Sequence, residues 1–301
     1  MASAQQIEIG LEPAADTGSR VEASLELDFE FDCTSGRTVL PASRQQAPLQ
    51  VVRAFALEDG SALAHLHNVS GGLLGGDRLE LRARVGAGAS AQLTTTGATR
   101  IYRPRELAPD ATQVNEVRVG ENALLEYVPD PIIPFAGARF RQQTTIKLAP
   151  GAGLFWWEIL APGREARGEL FAYDRMELKM DIWTPNGLIA AERVRLEPRV
   201  HAVSSLARLG DYRYWATFYI CRVGADRKVW AAAEQRLREV AANVPLAGET
   251  RWGVSTLAAD GMMVRCLARQ GRWVLAGLRE IWSAAKSLLY GREAIPPRKV
   301  N

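Results

Sequence analysis

A mainly β fold, built from stacked, helicoid or solenoid-like sheet layers with two α-helices in the C-terminal region, is what three features of this 301-residue sequence predict. From Val21 to Asp32 apolar and acidic residues alternate with period two, the mark of a half-buried strand with an acidic outer face. Strand-length segments separated by Gly, Pro, Asp and Asn then follow one another to about residue 223 with no helical crossover, which excludes a βαβ sheet. A short turn pattern recurs three times within that series.

The elements fall in order along the chain. Residues 1–20 are rich in Ala, Gly, Pro, Gln and acidic groups without periodicity and read as a mobile arm; residues 21–298 read as one β-rich domain. After the first strand the candidate strands are Leu49–Leu57, Ala62–Val69, Arg78–Val85, Ser90–Thr96, Thr112–Val119 and Ala123–Val128. They continue as Arg139–Leu148, Gly153–Leu160, Glu169–Trp183, Gly187–Leu196 and Trp215–Val223. The recurring turn is Val85-Gly-Ala-Gly-Ala89-Ser, Val119-Gly-Glu-Asn-Ala123-Leu and Leu148-Ala-Pro-Gly-Ala152-Gly, in each case an apolar strand end, a tight turn and a new strand. Two arrangements fit this echo: coils stacked on one another, or plain hairpins of a sandwich.

Asp226 is placed as the N-cap of a first helix whose Val229, Trp230, Ala233, Leu237, Val240 and Ala241 recur at helical spacing up to Asn243 and Pro245. Arg251–Leu257 and Met262–Ala268 form a hairpin turning at Ala259-Asp260-Gly261. A second helix runs from about Arg272 to Tyr290, with Gly291 as its stop.

Composition removes several function classes. With 47% hydrophobic and 24% charged residues the chain has ample apolar surface for a core. Its net charge is only +3, and no stretch clusters Lys and Arg with aromatics, so nucleic acid is excluded as a partner. Cys33, Cys221 and Cys266 are too far apart for a metal clip and odd in number, which points to a reducing compartment. No apolar run is long enough to span a membrane, and the expectation is a cytoplasmic protein without membrane contact.

Chemistry-bearing motifs are sparse. Gly71-Gly72-Leu73-Leu74-Gly75-Gly76-Asp77 precedes a strand rather than a helix and lacks Gly-Lys-Ser/Thr, so it is no phosphate loop; it reads as a close-packed turn with Asp77 accepting backbone amides. His65 and His67 share one face of a strand, a geometry for weak metal contact that lacks a third ligand. His201 stands alone, and no Gly-x-Ser-x-Gly elbow occurs. Asp77, Glu126, Asp130 and Glu158 lie in or beside strands flanked by Tyr127, Trp156 and Trp157, the raw material of a β-rich carbohydrate-active enzyme or binding module. Glu158 falls in an otherwise apolar strand, so its carboxylate must be partnered or face a wet cavity.

Four ordered blocks carry a family resemblance. Gly71 to Leu79 followed by Leu93-Thr-Thr-Thr-Gly-Ala-Thr-Arg-Ile-Tyr-Arg103 resembles the signature half of the UreD (UreH) urease accessory proteins. Leu125 to Arg139, with Tyr127-Val-Pro-Asp-Pro-Ile-Ile-Pro-Phe135, and Trp157 to Arg164 resemble its central blocks, and Leu288-Leu-Tyr-Gly291 with Pro296-Pro-Arg298 its ending. The chain departs from that pattern at Pro104, where a small polar residue usually follows Tyr-Arg, and in its long N-terminal arm.

The resemblance implies a helicoid stack of strands and a non-enzymatic role. UreD-like proteins bind UreF, which recruits the GTPase UreG, and the assembly docks on apo-urease while nickel is inserted. No tightly bound cofactor is implied, and nickel is cargo in transit. A nickel path should be wet and lined by oxygen ligands that hold the ion weakly, which selects Asp77, Asp130 and Glu158 as candidate lining. Trp230 and Trp282 are the candidate anchors for a partner.

Overall fold

The computed structural model describes residues 20–105, 107–244 and 248–297. The predicted arm, except Arg20, lies outside these residues, as do Pro245 and Arg298. Eighteen strands and two α-helices are present among the described residues. The first strands are β1 (Glu22–Asp32), β2 (Arg37–Gln45), β3 (Leu49–Gln50), β4 (Ala54–Ala56), β5 (Ala62–Asn68) and β6 (Arg78–Val85). Next come β7 (Ser90–Thr95), β8 (Thr99–Ile101), β9 (Ala111–Val119), β10 (Leu124–Tyr127), β11 (Ile132–Pro134) and β12 (Arg139–Leu148). The remainder are β13 (Gly153–Leu160), β14 (Arg175–Thr184), β15 (Gly187–Leu196), β16 (Tyr214–Arg222), α1 (Arg227–Asn243), β17 (Thr250–Thr256), β18 (Gly261–Ala268) and α2 (Gly271–Tyr290).

Strand pairing decides between the two arrangements the turn echo allowed. The first sheet has the order β15-β14-β12-β9-β6-β1-β2, and its five central strands are all parallel. In the second sheet, β5, β7, β10 and β13 are parallel, and β16, β18 and β17 extend it as an antiparallel meander. The chain therefore winds from a strand of one sheet to a strand of the other and back, coil upon coil. The echoed residues are stacked partners: Val85 pairs with Val119, and Val119 with Leu148. At each corner the amide of one coil donates to the coil beside it, as Gly86 N to Phe29 O, Gly120 N to Val85 O and Ala149 N to Val119 O. Gly120 is required by this stacking, because a Cβ there would sit 2.9 Å from Ala87 N and 3.0 Å from Val85 O.

Local departures from the expected strands have visible causes. The segment Leu49–Leu57 splits into β3 and β4 because the Gln45 side chain takes over both backbone groups of Val51, accepting from its N at 2.8 Å and donating to its O at 3.2 Å. The strand expected from Glu169 begins only at Arg175, because Glu169 is committed to Arg164 and to the Ala136 amide while Phe171 takes a positive φ. β2, β8 and β11 are additional to the expected set.

Two apolar layers result. One fills the space between the sheets, with Phe29, Leu93, Leu125 and Trp156 fully buried. The other lies between the second sheet and the helices. Asp226 caps α1 by accepting from Lys228 N at 2.7 Å, and Gly291 ends α2 in the left-handed conformation at φ 62°. α2 buries Val274, Leu278, Ile281, Trp282, Ala285 and Leu289 against the sheet, each large side chain contributing about 1.5–3 kcal/mol of transfer free energy. No helix among the described residues is long and apolar enough to cross a membrane.

Candidate functional site

Inward-facing positions of a two-sheet stack should be apolar, so the polar ones mark the interior that is not merely packing. Along β12 the inward residues are Phe140, Gln142, Thr144, Ile146 and Leu148, and along β9 they include Gln113, Asn115 and Val117. Gln113 Nε2 donates to Asn115 Oδ1 at 3.0 Å, and Asn115 Nδ2 donates to Thr144 Oγ1 at 3.0 Å. Two residues before Thr144, Gln142 Nε2 donates to Glu158 Oε1 at 2.5 Å, joining the first sheet to the second across the interior.

Glu158 thus has the partner that its sequence context allowed as one of two outcomes. It is half-buried rather than closed off. Burial pushes its carboxyl up to about 7; hydrogen bonds from Trp156 and Gln142 oppose that rise, and the nearby Glu192 charge adds to it. Trp156 Nε1 points at the same oxygen from 3.5 Å, and the Trp156 ring stacks on Tyr127 with centroids 4.0 Å apart. Beyond Glu158, Tyr219 Oη donates to Glu192 Oε2 at 2.6 Å, and Arg265 Nη2 donates to both Glu192 oxygens at 2.9 and 3.0 Å.

A cavity opens at each end of this polar file. At one end a cavity of about 240 Å³ is lined by His67, Thr95, Gln113 and Tyr127 together with the Gly71-Gly72 backbone. At the other, about 300 Å³ is lined by Glu192, Arg265, Tyr173 and Arg213 among others.

The other expected site residues are placed as follows. Asp77 is almost fully buried as a turn cap, accepting from Val21 N at 3.2 Å and Leu74 N at 2.8 Å. Asp130 is half-buried just beyond β10, where its amide donates to Thr95 Oγ1 at 2.9 Å. The three carboxylates do not share one centre. His65 and His67 line a common groove of about 860 Å³, and His65 meets the Phe55 ring edge-on at 5.9 Å. Among the described residues no group of three or more His, Cys, Asp or Glu could hold a metal ion. Trp230 and Trp282 are both core residues; Trp282 is fully buried and donates to Glu126 Oε2 at 2.7 Å, so neither presents a free ring to solvent.

Glu126 and Glu158 lie on opposite faces of the second sheet, Glu126 under α2 and Glu158 between the sheets, so the carboxylate pair of a carbohydrate-active site is not assembled. Glu126 belongs instead to a buried cluster that sequence reasoning missed. Lys286 Nζ donates to Glu126 Oε1 at 2.8 Å and to Asp59 Oδ2 at 3.3 Å, and Asp59 accepts from Ser61 Oγ at 2.5 Å. Lys286 lies four residues after Trp282 and three before Leu289, on the face of α2 that packs against the sheet, and a cation at that spacing was the available signal.

The motif blocks converge at the rim opposite the glycine corners. Leu73 bridges Ile101, Ile132–Pro134 pair with Thr99–Ile101, and Ile132 also pairs with Leu160. Tyr102 packs edge-on against Phe135 at 4.9 Å, and the Arg164 guanidinium, held by Glu169, covers Phe135 at 4.1 Å. Gly72 and Gly75 permit the close approach, since a Cβ at Gly72 would stand 2.5 Å from the Tyr102 ring and at Gly75 2.3 Å from Pro104.

Comparison with known proteins matches residues 21–301 to the family model described as UreD urease accessory protein. A urease accessory protein UreD of Herpetosiphon aurantiacus is 46% identical over 281 residues, covering 93% of this chain and 97% of that one. The corresponding protein of Pseudomonas aeruginosa is 34% identical over 92% of this chain and 93% of its own length. That of Deinococcus radiodurans is 30% identical over 91% and 94%.

Proposed function

Because the chain belongs to the UreD family of urease accessory proteins, we propose that it is a non-catalytic scaffold and nickel conduit between the UreF/UreG GTPase complex and apo-urease, acting in the cytoplasm. The observation that carries this reading is Glu158, held in the interior by Gln142 and set between two cavities in a file of amide, hydroxyl and phenol groups. Such donors are hard oxygen ligands, which bind nickel(II) more weakly than imidazole or thiolate and so release it. With its carboxyl titrating at about 7, Glu158 is partly ionised near neutral pH and can take up a divalent cation in exchange for a proton. His67 and Thr95 line the first cavity, and Asp130 adjoins it through its amide bond to Thr95, so an ion entering there would meet His67 before Glu158.

Affinity capture of the tagged chain co-expressed with UreF tests the scaffold role. A stoichiometric complex, with loss of urease activity when this chain is deleted, is the expected result. Free UreF together with full urease activation in the deletion strain would refute it.

A further inference from the structure

The outer face of the first sheet is densely charged, and nearly every charge on it is answered by an opposite one. Arg82 pairs with Glu26, Glu80 and Glu116, Arg84 with Asp28 and Glu30, Arg141 with Asp110 and Glu177, and Arg193 with Asp181. Besides the single Lys179 on β14, the departure from this rule is concentrated in one row. Reading across the sheet at the end nearest the glycine corners, Asp28, Arg84, Arg118, Lys147 and Trp183 are successive register partners. Arg84 is neutralised by its carboxylates, whereas Arg118 and Lys147, directly opposite each other on neighbouring strands, have no ion pair or side-chain hydrogen bond among the described residues.

Like charges facing each other about 4.8 Å apart across a ladder are destabilising. Here they sit beside an exposed tryptophan, 42% accessible, on the wall of a trough of about 930 Å³ that Pro185 helps to line. Two unanswered cations and a free indole side by side are the composition of a protein-binding surface, where arginine and tryptophan anchor and a carboxylate replaces solvent. The trough lies open along the sheet face, so it cannot enclose most of a small molecule's surface as a ligand pocket does.

We propose that this trough docks an acidic segment of a partner protein. Arg118 and Lys147 receive its carboxylates, and Trp183 packs on an apolar side chain beside them. The surface lies at the end of the coil stack opposite the rim where the motif blocks meet, and it works independently of any nickel path through the interior.

The test uses the full chain and a fluorescein-labelled peptide rich in glutamate and carrying leucine, followed by anisotropy. Saturable binding to the parent is expected. It should weaken at least about tenfold in Arg118→Glu/Lys147→Glu and in Trp183→Ala, and fall with added salt. Arg236→Glu/Arg238→Glu, which changes net charge equally on the exposed face of α1, should bind like the parent. The single change Lys147→Glu should melt no lower than the parent, because it places a carboxylate opposite Arg118. Failure of the peptide to bind the parent, or equal loss in the α1 control, overturns the proposal. So does tripolyphosphate binding that matches the peptide in affinity and in sensitivity to the same substitutions.

Discussion

Glu158 is where the chemistry of this molecule concentrates. Its folded carboxyl holds a proton up to about 7, whereas the ordinary glutamate value is 4.5. Between those values the folded chain binds more protons than the unfolded chain, so stability falls as pH rises through the window and the loss is complete above it. A tenfold difference in proton affinity corresponds to about 1.4 kcal/mol, and water reaching a half-buried side chain reduces the difference, so the effect is on the order of 1–3 kcal/mol. Urea unfolding at a series of pH values should therefore give a flatter profile between about pH 5 and pH 8 for Glu158→Gln than for the parent. Superimposable profiles would show that the carboxyl does not carry this proton.

Glu126, a fully buried carboxylate, behaves differently. Burial raises Glu126 as well, but the Lys286 ammonium and the Trp282 and Lys286 hydrogen bonds oppose that rise. Removing one partner leaves an uncompensated charge in the core, so Lys286→Met should cost about 3–5 kcal/mol in denaturant unfolding, and Glu126→Leu/Lys286→Met should recover most of it. Additive losses would rule out direct coupling. Glu158 is legible in the sequence because a lone acid interrupts an apolar strand. Glu126 stands there only as one of several acids near aromatics, since nothing local reveals that its partner lies 160 residues away.

At the scale of elements, the capped helices, the C-terminal hairpin and the glycine corners are all written locally. Helix caps and turns are short-range chemistry, and the 34- and 29-residue spacing of the corners is the vertical repeat of the coils. Whether those corners join hairpins or stacked coils is not legible, because parallel and antiparallel strands share the same alternation. β2 is hidden in the sequence because it is an edge strand with most of its residues exposed and Pro41 within it, which removes both alternation and strand propensity. The corner stacking gives a direct test. Gly120→Ala should lose about 1–3 kcal/mol, since backbone of the neighbouring coil occupies the Cβ position. Gly97→Ala, where nothing lies within 4 Å, should stay within about 0.5 kcal/mol. Equal stability of the two variants by denaturant midpoint would contradict the stacked-corner geometry.

Across the whole molecule, strands of two sheets wind around an interior that is apolar near the corners, apolar again at the rim around Leu73, Ile101 and Phe140, and polar between them through Gln142 and Glu158. Blocks scattered over roughly ninety residues, from Gly71 to Arg164, come together at one rim because each coil returns the chain to the same end. The family is therefore readable from those blocks, whereas the interior file is not: Gln142, Asn115, Tyr219 and Glu192 come from four strands whose proximity only the coil geometry creates. Trp230 and Trp282 stand out by their helical spacing, and the same spacing buries them.

Nickel in urease matured in cells tests the proposed conduit. With Glu158→Ala replacing the parent chain, the complex with UreF and apo-urease should still form while nickel per urease active site drops severalfold. Full nickel loading by an intact Glu158→Ala complex would contradict a path through this carboxylate.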